Sequence, residues 1–156
     1  MRLYFMRHGD AVNMADSDHA RPLSKAGIQE TRAMGALLAR MGIQPAHIYT
    51  SPRMRAQETA QIVADLLHLP VETREELNFD FDLAALGRLI EGMPEDTELF
   101  FVGHNPSMSD VLRGLCGAHL SLQTAAVARV DLQPDLLDQA LLKWVIPPKA
   151  ARLIVD

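Results

Sequence analysis

Short apolar runs with the character of β-strands alternate with longer amphipathic segments along the chain, and this alternation limits the possible folds more than any other feature. Residues 98–102 form the clearest of the short runs and are apolar on both faces, as in a central parallel strand. Parallel strands need long crossover connections, and helices of ten or more residues supply them. The pattern therefore predicts a layered α/β domain.

Periodicity and capping residues predict the individual elements. Ser24 and Ser51 are expected to cap the first two helices, because a serine hydroxyl accepts hydrogen bonds from the free N–H groups of a first helical turn. Residues 153–155 are expected to dock as a short edge strand after an extended exit through two prolines. Strands are predicted at 2–6, 47–50, 71–73, 98–102, 126–132 and 141–146, and helices at 24–41, 51–69, 82–92 and 106–116.

The composition limits the kind of partner. The chain has 156 residues, an ordinary length for one domain, and we expect a single domain over residues 1–156. A formal net charge of −5 gives no general attraction to nucleic acid or to a membrane surface, so an anion site must be a local cluster of cations. The single cysteine, Cys116, excludes an internal disulfide and a thiolate metal cage, and its helical context predicts a buried thiol.

Several signals that would indicate other classes of protein are missing from the sequence. The first strand begins almost at once, without a signal-peptide pattern, and no apolar run approaches the length of a membrane span, so we expect a cytoplasmic protein. No Gly-rich phosphate loop, Ser/His/Asp arrangement or dinucleotide fingerprint is visible. Four histidines lack metal-ligand spacing, namely His19, His47, His68 and His119. We therefore expect no metal or cofactor.

Three polar motifs come directly after three of the predicted strands. Arg7, His8 and Gly9 follow the first strand, residues 51–55 follow the second, and His104 follows the central one. Ligands of open α/β sheets bind beyond the carboxyl ends of parallel strands, where several loops meet. The sequence therefore predicts that the three motifs converge on one site.

The first motif suits nucleophilic attack on phosphorus. A neutral imidazole at His8 is a good nucleophile, and a phosphorylated histidine is labile enough to turn over. A neighbouring guanidinium such as that of Arg7 would depress the imidazole pKa and would also hold phosphate oxygens. Gly9 would allow close approach of the backbone and leave a carbonyl free to fix the tautomer of the ring.

The other two motifs suit an anion. Arg55 falls in the first turn of a predicted helix, where free N–H groups already favour a phosphate; the alternative is a surface ion pair with Glu58 or Glu30. Arg53 points to another face and is expected to be solvated. A protonated His104 would give a hydrogen bond and positive charge to a phosphoryl group, and a structural role is its alternative.

The three motifs in this order resemble the histidine phosphatase superfamily, which includes the cofactor-dependent phosphoglycerate mutases. They read Arg7-His8-Gly9, Ser51-Pro52-x-x-Arg55-Ala56-x-x-Thr59-Ala60 and Gly103-His104. Within the family, the short chain, the opening at residues 7–11 and the segment 21–27 resemble the small SixA-type phosphohistidine phosphatases. The resemblance covers residues 1–132 of this sequence.

The resemblance implies a fold and a set of roles. It implies a three-layer α/β/α sandwich around a mixed, mostly parallel sheet of about six strands. It also implies that His8 is transiently phosphorylated and that Arg7, Arg55 and His104 form the phosphate pocket. Arg21 would line its rim, with a simple loop charge as the alternative. The substrate would be a phosphohistidine-containing protein, such as the phosphotransfer domain of a signalling relay, and the product inorganic phosphate.

One departure from the family bears on the substrate. Many members that cleave phosphate esters place a carboxylic acid after the third strand to protonate the alcohol. Residues 74–80 match that pattern poorly; Glu76 and Asp80 are the candidate acids, with solvated loop carboxylates as the alternative. Because a P–N bond needs that acid less, and a short segment after Leu77 leaves the cleft uncovered, the sequence favours a phosphohistidine phosphatase. A phosphatase for small phosphate monoesters and a non-catalytic phosphate-binding module are the alternatives.

Overall fold

The computed structural model describes residues 1–133, 135, 137 and 139–155, and within them it has the six predicted strands, the four predicted helices and a fifth α-helix that the sequence analysis did not predict. The strands are β1 (Arg2–Arg7), β2 (His47–Thr50), β3 (Val71–Thr73), β4 (Glu98–Gly103), β5 (Val127–Asp131) and β6 (Leu141–Ile146). The helices are α1 (Lys25–Arg40), α2 (Met54–Leu67), α3 (Leu83–Ile90), α4 (Ser107–Cys116) and α5 (Pro148–Val155), and a short 3-10 helix covers Glu75–Leu77.

All six strands belong to one sheet in the order β3-β2-β4-β1-β5-β6. The pairs β2–β3, β2–β4 and β1–β4 are parallel, whereas β5 and β6 add at one side in antiparallel pairs. The predicted mixed, mostly parallel sheet of six strands is thus confirmed. Because β1, β2 and β4 run in the same direction, their carboxyl ends, and the motifs that follow them, meet at one edge of the sheet.

Each face of the sheet carries its own apolar core. Side chains of successive residues point to opposite faces of a strand. Leu99 and Phe101 of β4 accordingly pack in one cluster with α3 and α4, while Phe100 and Val102 pack in the other with α1, α2 and α5. All four are fully buried, which confirms 98–102 as part of the central strand and gives the three-layer sandwich. None of the described helices is long and apolar enough to cross a membrane.

The two predicted serine caps have different outcomes. Ser24 caps α1, where its Oγ accepts a hydrogen bond from the Gly27 N–H at 3.0 Å. The prediction for Ser51 was wrong, because α2 begins at Met54 with Arg53 in the N-cap position and no side-chain cap. Ser51 Oγ lies instead 2.7 Å from Nε2 of His104, so the hydroxyl serves the site rather than the helix.

The carboxyl-terminal segment corrects a second prediction. Residues 153–155 belong to α5 and not to an edge strand, because Pro148 suits the first position of a helix and Ala151 buries itself against α1. Cys116 was predicted to be buried but is partly exposed, since it is the last residue of α4; its Sγ contacts the carbonyl oxygen of Leu112 at 3.1 Å. Asp156, which the predicted domain includes, lies outside the described residues.

Candidate active site

The register of the parallel strands brings two histidines together. Arg7 at the end of β1 lies beside Gly103 at the end of β4, and the His8 N–H donates to the Gly103 carbonyl at 2.9 Å. The next residue of each chain segment is a histidine. The ring centroids of His8 and His104 lie 5.2 Å apart, so the two rings face one space beyond the sheet edge.

The His8 ring is held in one tautomer. Its Nδ1 lies 2.7 Å from the Gly9 carbonyl oxygen, which can only accept, so the proton sits on Nδ1 and the lone pair on Nε2. Arg55 Nε lies 3.4 Å from that Nε2. The Gly9 N–H donates to Thr59 Oγ1 at 2.9 Å, and a Cβ on Gly9 would lie 2.7 Å from Thr31 Oγ1. Gly9 therefore allows the backbone to approach closely, and its carbonyl fixes the tautomer of the His8 ring, as the sequence analysis expected.

Arg55 projects from the first turn of α2 into the site and is only 4% exposed. Its Nη1 donates to the Asp18 carbonyl at 2.9 Å, and its Nη2 lies 3.2 Å from the Asp18 carboxylate. The arginine thus pairs with a residue of the loop after β1. Neither Glu58 nor Glu30, its predicted partners on a surface, is in contact with it among the described ion pairs.

Arg53 is not solvated, which corrects the prediction. Its Nε donates to Asn78 Oδ1 at 2.8 Å, its Nη1 donates to Asp18, and its guanidinium carbon lies 3.9 Å from the centroid of the Phe79 ring. The reason is local backbone shape. Arg53 precedes the helix with an extended backbone (φ −71°, ψ 141°), so the helical spacing used to place its side chain does not apply.

Asp18 is a residue of the site that the sequence analysis missed. Its carboxylate accepts hydrogen bonds from Arg21, Arg53 and Arg55. The hydrogen bond from Arg21 and the charge of Arg55 hold the pKa of Asp18 below its usual range. Arg21 also donates from Nε to the Val12 carbonyl at 2.7 Å, which fixes the loop at the rim. The only signal in the sequence was the three-residue spacing of Asp18 and Arg21.

Two buried nitrogens of the site have no partner within the part of the chain that the structure describes. They are Nε of Arg7, whose Nη1 donates to the Leu122 carbonyl at 3.0 Å, and Nδ1 of His104. A buried polar atom without a hydrogen bond costs about 1–3 kcal/mol, so native proteins rarely leave one unmatched. Both atoms lie in the residues expected to bind an anion. A bound oxyanion would accept from Arg7 Nε, and from His104 Nδ1 in the tautomer that carries its proton there.

Burial keeps both imidazoles neutral. It lowers the pKa of His8 to about 4, against the raising effect of the Gly9 carbonyl, and Arg55 and Arg7 lower that pKa further. Burial also lowers the pKa of His104 to about 3, with further contributions from His8 and Arg55. His104 is only 1% exposed. With no anion bound, we therefore expect His104 to be neutral, and not protonated, at neutral pH.

A titration checks these two pKa values. We expect nitrogen NMR signals of His8 and His104 to keep the shifts of neutral imidazole from about pH 8 down to about pH 5. An unfolded chain takes up these protons near the ordinary value of 6.5, whereas the folded protein takes them up only near 4 or below. The free energy of unfolding should therefore fall as the pH drops below about 6.5 toward 4. A His8 signal that titrates at or above 6.5 would contradict the burial argument.

The candidate acids lie away from these contacts. Glu76 belongs to the 3-10 helix after β3, and Asp80 lies in an exposed loop. Neither makes a hydrogen bond to the two histidines in the part of the chain described. The same segment contributes Asn78 to Arg53 and the ring of Phe79, whose centroid lies 4.9 Å from that of His104. Over the described ranges, no group of three or more His, Cys, Asp or Glu is placed to hold a metal ion.

Comparison with known proteins agrees with the fold and with the order of the motifs. The sequence profile of the Histidine phosphatase superfamily (branch 1) matches residues 3–83. An uncharacterized protein of Picosynechococcus is 32% identical over 94% of this chain and 100% of its own. The Phosphohistidine phosphatase SixA of Escherichia coli is 29% identical over 95% of this chain and 94% of its own.

A solved structure gives the same result for the fold. The protein histidine phosphatase SixA complexed with tungstate superimposes with a TM-score of 0.87 at 28% identity, over 96% of this chain and 98% of that one. The likeness thus extends over the whole sheet and both helical layers, beyond the segment that carries the first two motifs. The family profile spans more than half of the chain and includes the loop after β1 and the start of α2, so the protein belongs to the histidine phosphatase superfamily, branch 1, a family of hydrolytic enzymes.

Proposed function

We propose that the chain, acting as one domain, is a phosphohistidine phosphatase. It moves the phosphoryl group from a histidine of a substrate protein to His8 and then to water. The observation that carries the proposal is the His8 ring itself, with Nδ1 bonded to the Gly9 carbonyl and the Nε2 lone pair beside Arg55 and His104. The name of the SixA relative from Escherichia coli supports the choice of substrate.

In the first step the Nε2 lone pair of His8 attacks phosphorus. A P–N bond forms on His8, the P–N bond of the substrate breaks, and the released electron pair goes to the substrate imidazole, which takes up a proton. In the second step a water oxygen attacks phosphorus. One of its protons stays on the phosphate, and the other returns to the solvent, which supplied the proton for the substrate imidazole in the first step. The bond to His8 breaks, its electron pair returns to Nε2, and inorganic phosphate leaves.

The arginines would stabilise the charge that develops on the phosphoryl oxygens. Arg7 is the last residue of β1 and Arg55 lies in the first turn of α2, so two separate elements of the fold supply the two guanidiniums. Their donors are fixed before the reaction by bonds to the Leu122 carbonyl and to Asp18. Donors that need no reorganisation contribute most to the transition state. His104 would add a ring nitrogen, and a bound phosphoryl dianion would favour its protonated form.

Because no carboxylic acid among the residues that the structure describes is placed to protonate a leaving group, the site favours a substrate with a P–N bond over one with a P–O bond. An alkoxide is a poor leaving group and needs a proton from the enzyme, whereas a protonated imidazole leaves readily. The carboxylates after β3 make no described contact with the histidine pair, and Asp18 is engaged by three arginines. A phosphohistidine on the surface of a folded protein fits these conditions better than an alkyl phosphate.

Competition between substrates tests the proposal. We expect kcat/KM for a phosphohistidine-bearing protein to exceed that for alkyl phosphate monoesters by at least about tenfold, since only the esters need an acid catalyst. Equal or faster turnover of the esters would favour a small-molecule phosphatase instead. Phosphate binding without turnover of any substrate would identify a binding module and would overturn the proposal.

A further inference from the structure

Phe79 is a large apolar side chain at the mouth of the site, and 48% of its surface is exposed. A single exposed apolar residue is ordinary in a soluble protein. This one differs because its ring contacts catalytic candidates directly. The ring centroid lies 4.9 Å from that of His104 in an edge-on arrangement, and the Arg55 guanidinium carbon lies 5.8 Å away.

Several contacts hold the Phe79 ring in place. The guanidinium of Arg53 lies over the ring at 3.9 Å, within the range of a cation–π interaction. Asn78 Oδ1 accepts hydrogen bonds from Arg53 Nε at 2.8 Å and from the Phe79 N–H at 3.0 Å, so one amide ties the backbone of Phe79 to the arginine that covers its ring. Asp18 anchors the far side of the Arg53 guanidinium. An exposed side chain without a role does not need such support.

The position of the ring relates it to the leaving group. His8 attacks from the interior, and the ring of His104 lies 5.2 Å from His8. Phe79 contacts the His104 ring and, unlike His8 and His104, is open to solvent. A substrate protein reaches the site from solvent, so the group that carries the phosphoryl enters on the side where Phe79 is exposed.

We propose that Phe79 is a specificity-determining residue that contacts the ring of the leaving group. It favours phosphoryl groups carried on a planar aromatic ring, such as the imidazole of phosphohistidine, over those without a ring. Aromatic rings attract one another in edge-on or offset geometry beyond their burial of apolar surface. The inference rests on the proposed function for the direction in which the substrate enters.

Two substrates with the same type of bond isolate the ring. N-phosphoimidazole and phosphoramidate both break a P–N bond, but only the first releases an aromatic ring. The ratio of their kcat/KM values in a variant, divided by the same ratio in the wild type, cancels their different chemical reactivity. We expect Phe79→Leu to lower this ratio roughly three- to tenfold, as loss of one aromatic pair implies. Phe79→Tyr should retain the ratio, because it keeps the ring.

The control variant is Leu141→Ala, which removes an apolar side chain that is 65% exposed at the start of β6, the opposite end of the sheet. It should leave the ratio unchanged. An unchanged kcat/KM for phosphoramidate in Phe79→Leu would show that the variant is folded and that only ring recognition is lost. An equal fall for both substrates would mean that Phe79 supports the site structurally, and would overturn the inference.

The outcome for Phe79 can be separated from that for the proposed function. If the wild type prefers esters to P–N substrates, the proposed function fails, and the ratio is then measured with phenyl phosphate and ethyl phosphate. A ratio that still falls in Phe79→Leu supports the ring contact. If Phe79→Leu has the same ratio as the wild type for whichever substrate pair is used, the ring contact is overturned and the proposed function is not affected.

Discussion

His8→Ala should abolish the phosphoenzyme and lower kcat by about 10⁴-fold or more, since the variant lacks the nitrogen that forms the covalent intermediate. His8 is 9% exposed and lies beyond the end of β1 rather than in an apolar cluster, so the variant should fold. Rapid quenching with a labelled phosphohistidine protein measures the intermediate. In the wild type, the trapped label should be acid-labile, as phosphate on imidazole is.

Two further variants decide whether His8 is the nucleophile. Ser51 Oγ lies 2.7 Å from His104 Nε2, a serine–histidine contact that makes it the rival. Ser51→Ala should still form the acid-labile phosphoenzyme. His68→Asn serves as the matched histidine control, because His68 is exposed at the far end of α2 and its left-handed backbone (φ 58°) tolerates asparagine. Label recovered on serine or aspartate would refute the mechanism.

Arg55→Ala should lower kcat about 10²- to 10³-fold, equivalent to about 2.7–4 kcal/mol of transition-state stabilisation, by analogy with the loss of one preorganised donor. The physical reason is the position of its Nε, 3.4 Å from the attacking nitrogen of His8. Arg55→Lys should recover only part of the rate, since an ammonium lacks the planar fork that holds two oxygens. Steady-state kinetics with a phosphohistidine protein provide the measurement, and Arg7→Ala should behave similarly.

Arg32→Ala is the control for Arg55, because Arg32 is exposed on α1. It should leave kcat unchanged. Arg55 also holds Asp18, so thermal unfolding of Arg55→Ala separates a loss of structure from a loss of catalysis. If kcat falls less than tenfold while the protein stays folded, Arg55 does not act on the transferred phosphoryl group.

The meeting of His8 and His104 could be predicted from sequence because it depends on a simple rule. Both residues follow strands, both strands are parallel neighbours, and the ends of parallel strands share one edge. Gly9 was expected to allow close approach of the backbone, and in the structure a Cβ there would lie 2.7 Å from Thr31 Oγ1. Here local pattern and tertiary position carry the same information.

The environment of Arg53 could not be predicted in this way. Its side chain was placed by helical spacing, but the helix begins one residue later, and the extended backbone turns the guanidinium toward the site. Its partners Asp18, Asn78 and Phe79 come from two loops that are distant in sequence and have no periodic pattern. Loop packing of this kind depends on where the sheet places the loops.

The protonation of His104 was also beyond the sequence. A charged His104 was expected from its proposed task of binding an anion, yet burial, with the charges of His8 and Arg55, lowers its pKa to about 3. Burial is a property of the assembled layers, since it depends on how closely Ser51, Phe79 and His8 surround the ring. The same residue type at the end of an uncovered strand would titrate near its ordinary value.

The sequence by itself determined the layered α/β architecture, the order of the motifs and the edge of the sheet where they meet, because strand and helix periodicity and the ends of parallel strands are local properties. Only the tertiary structure decided which loop groups line the site, that Ser51 serves His104 and not a helix, and that both imidazoles are neutral. Those outcomes depend on distances and burial between segments far apart in the chain, which no local pattern specifies.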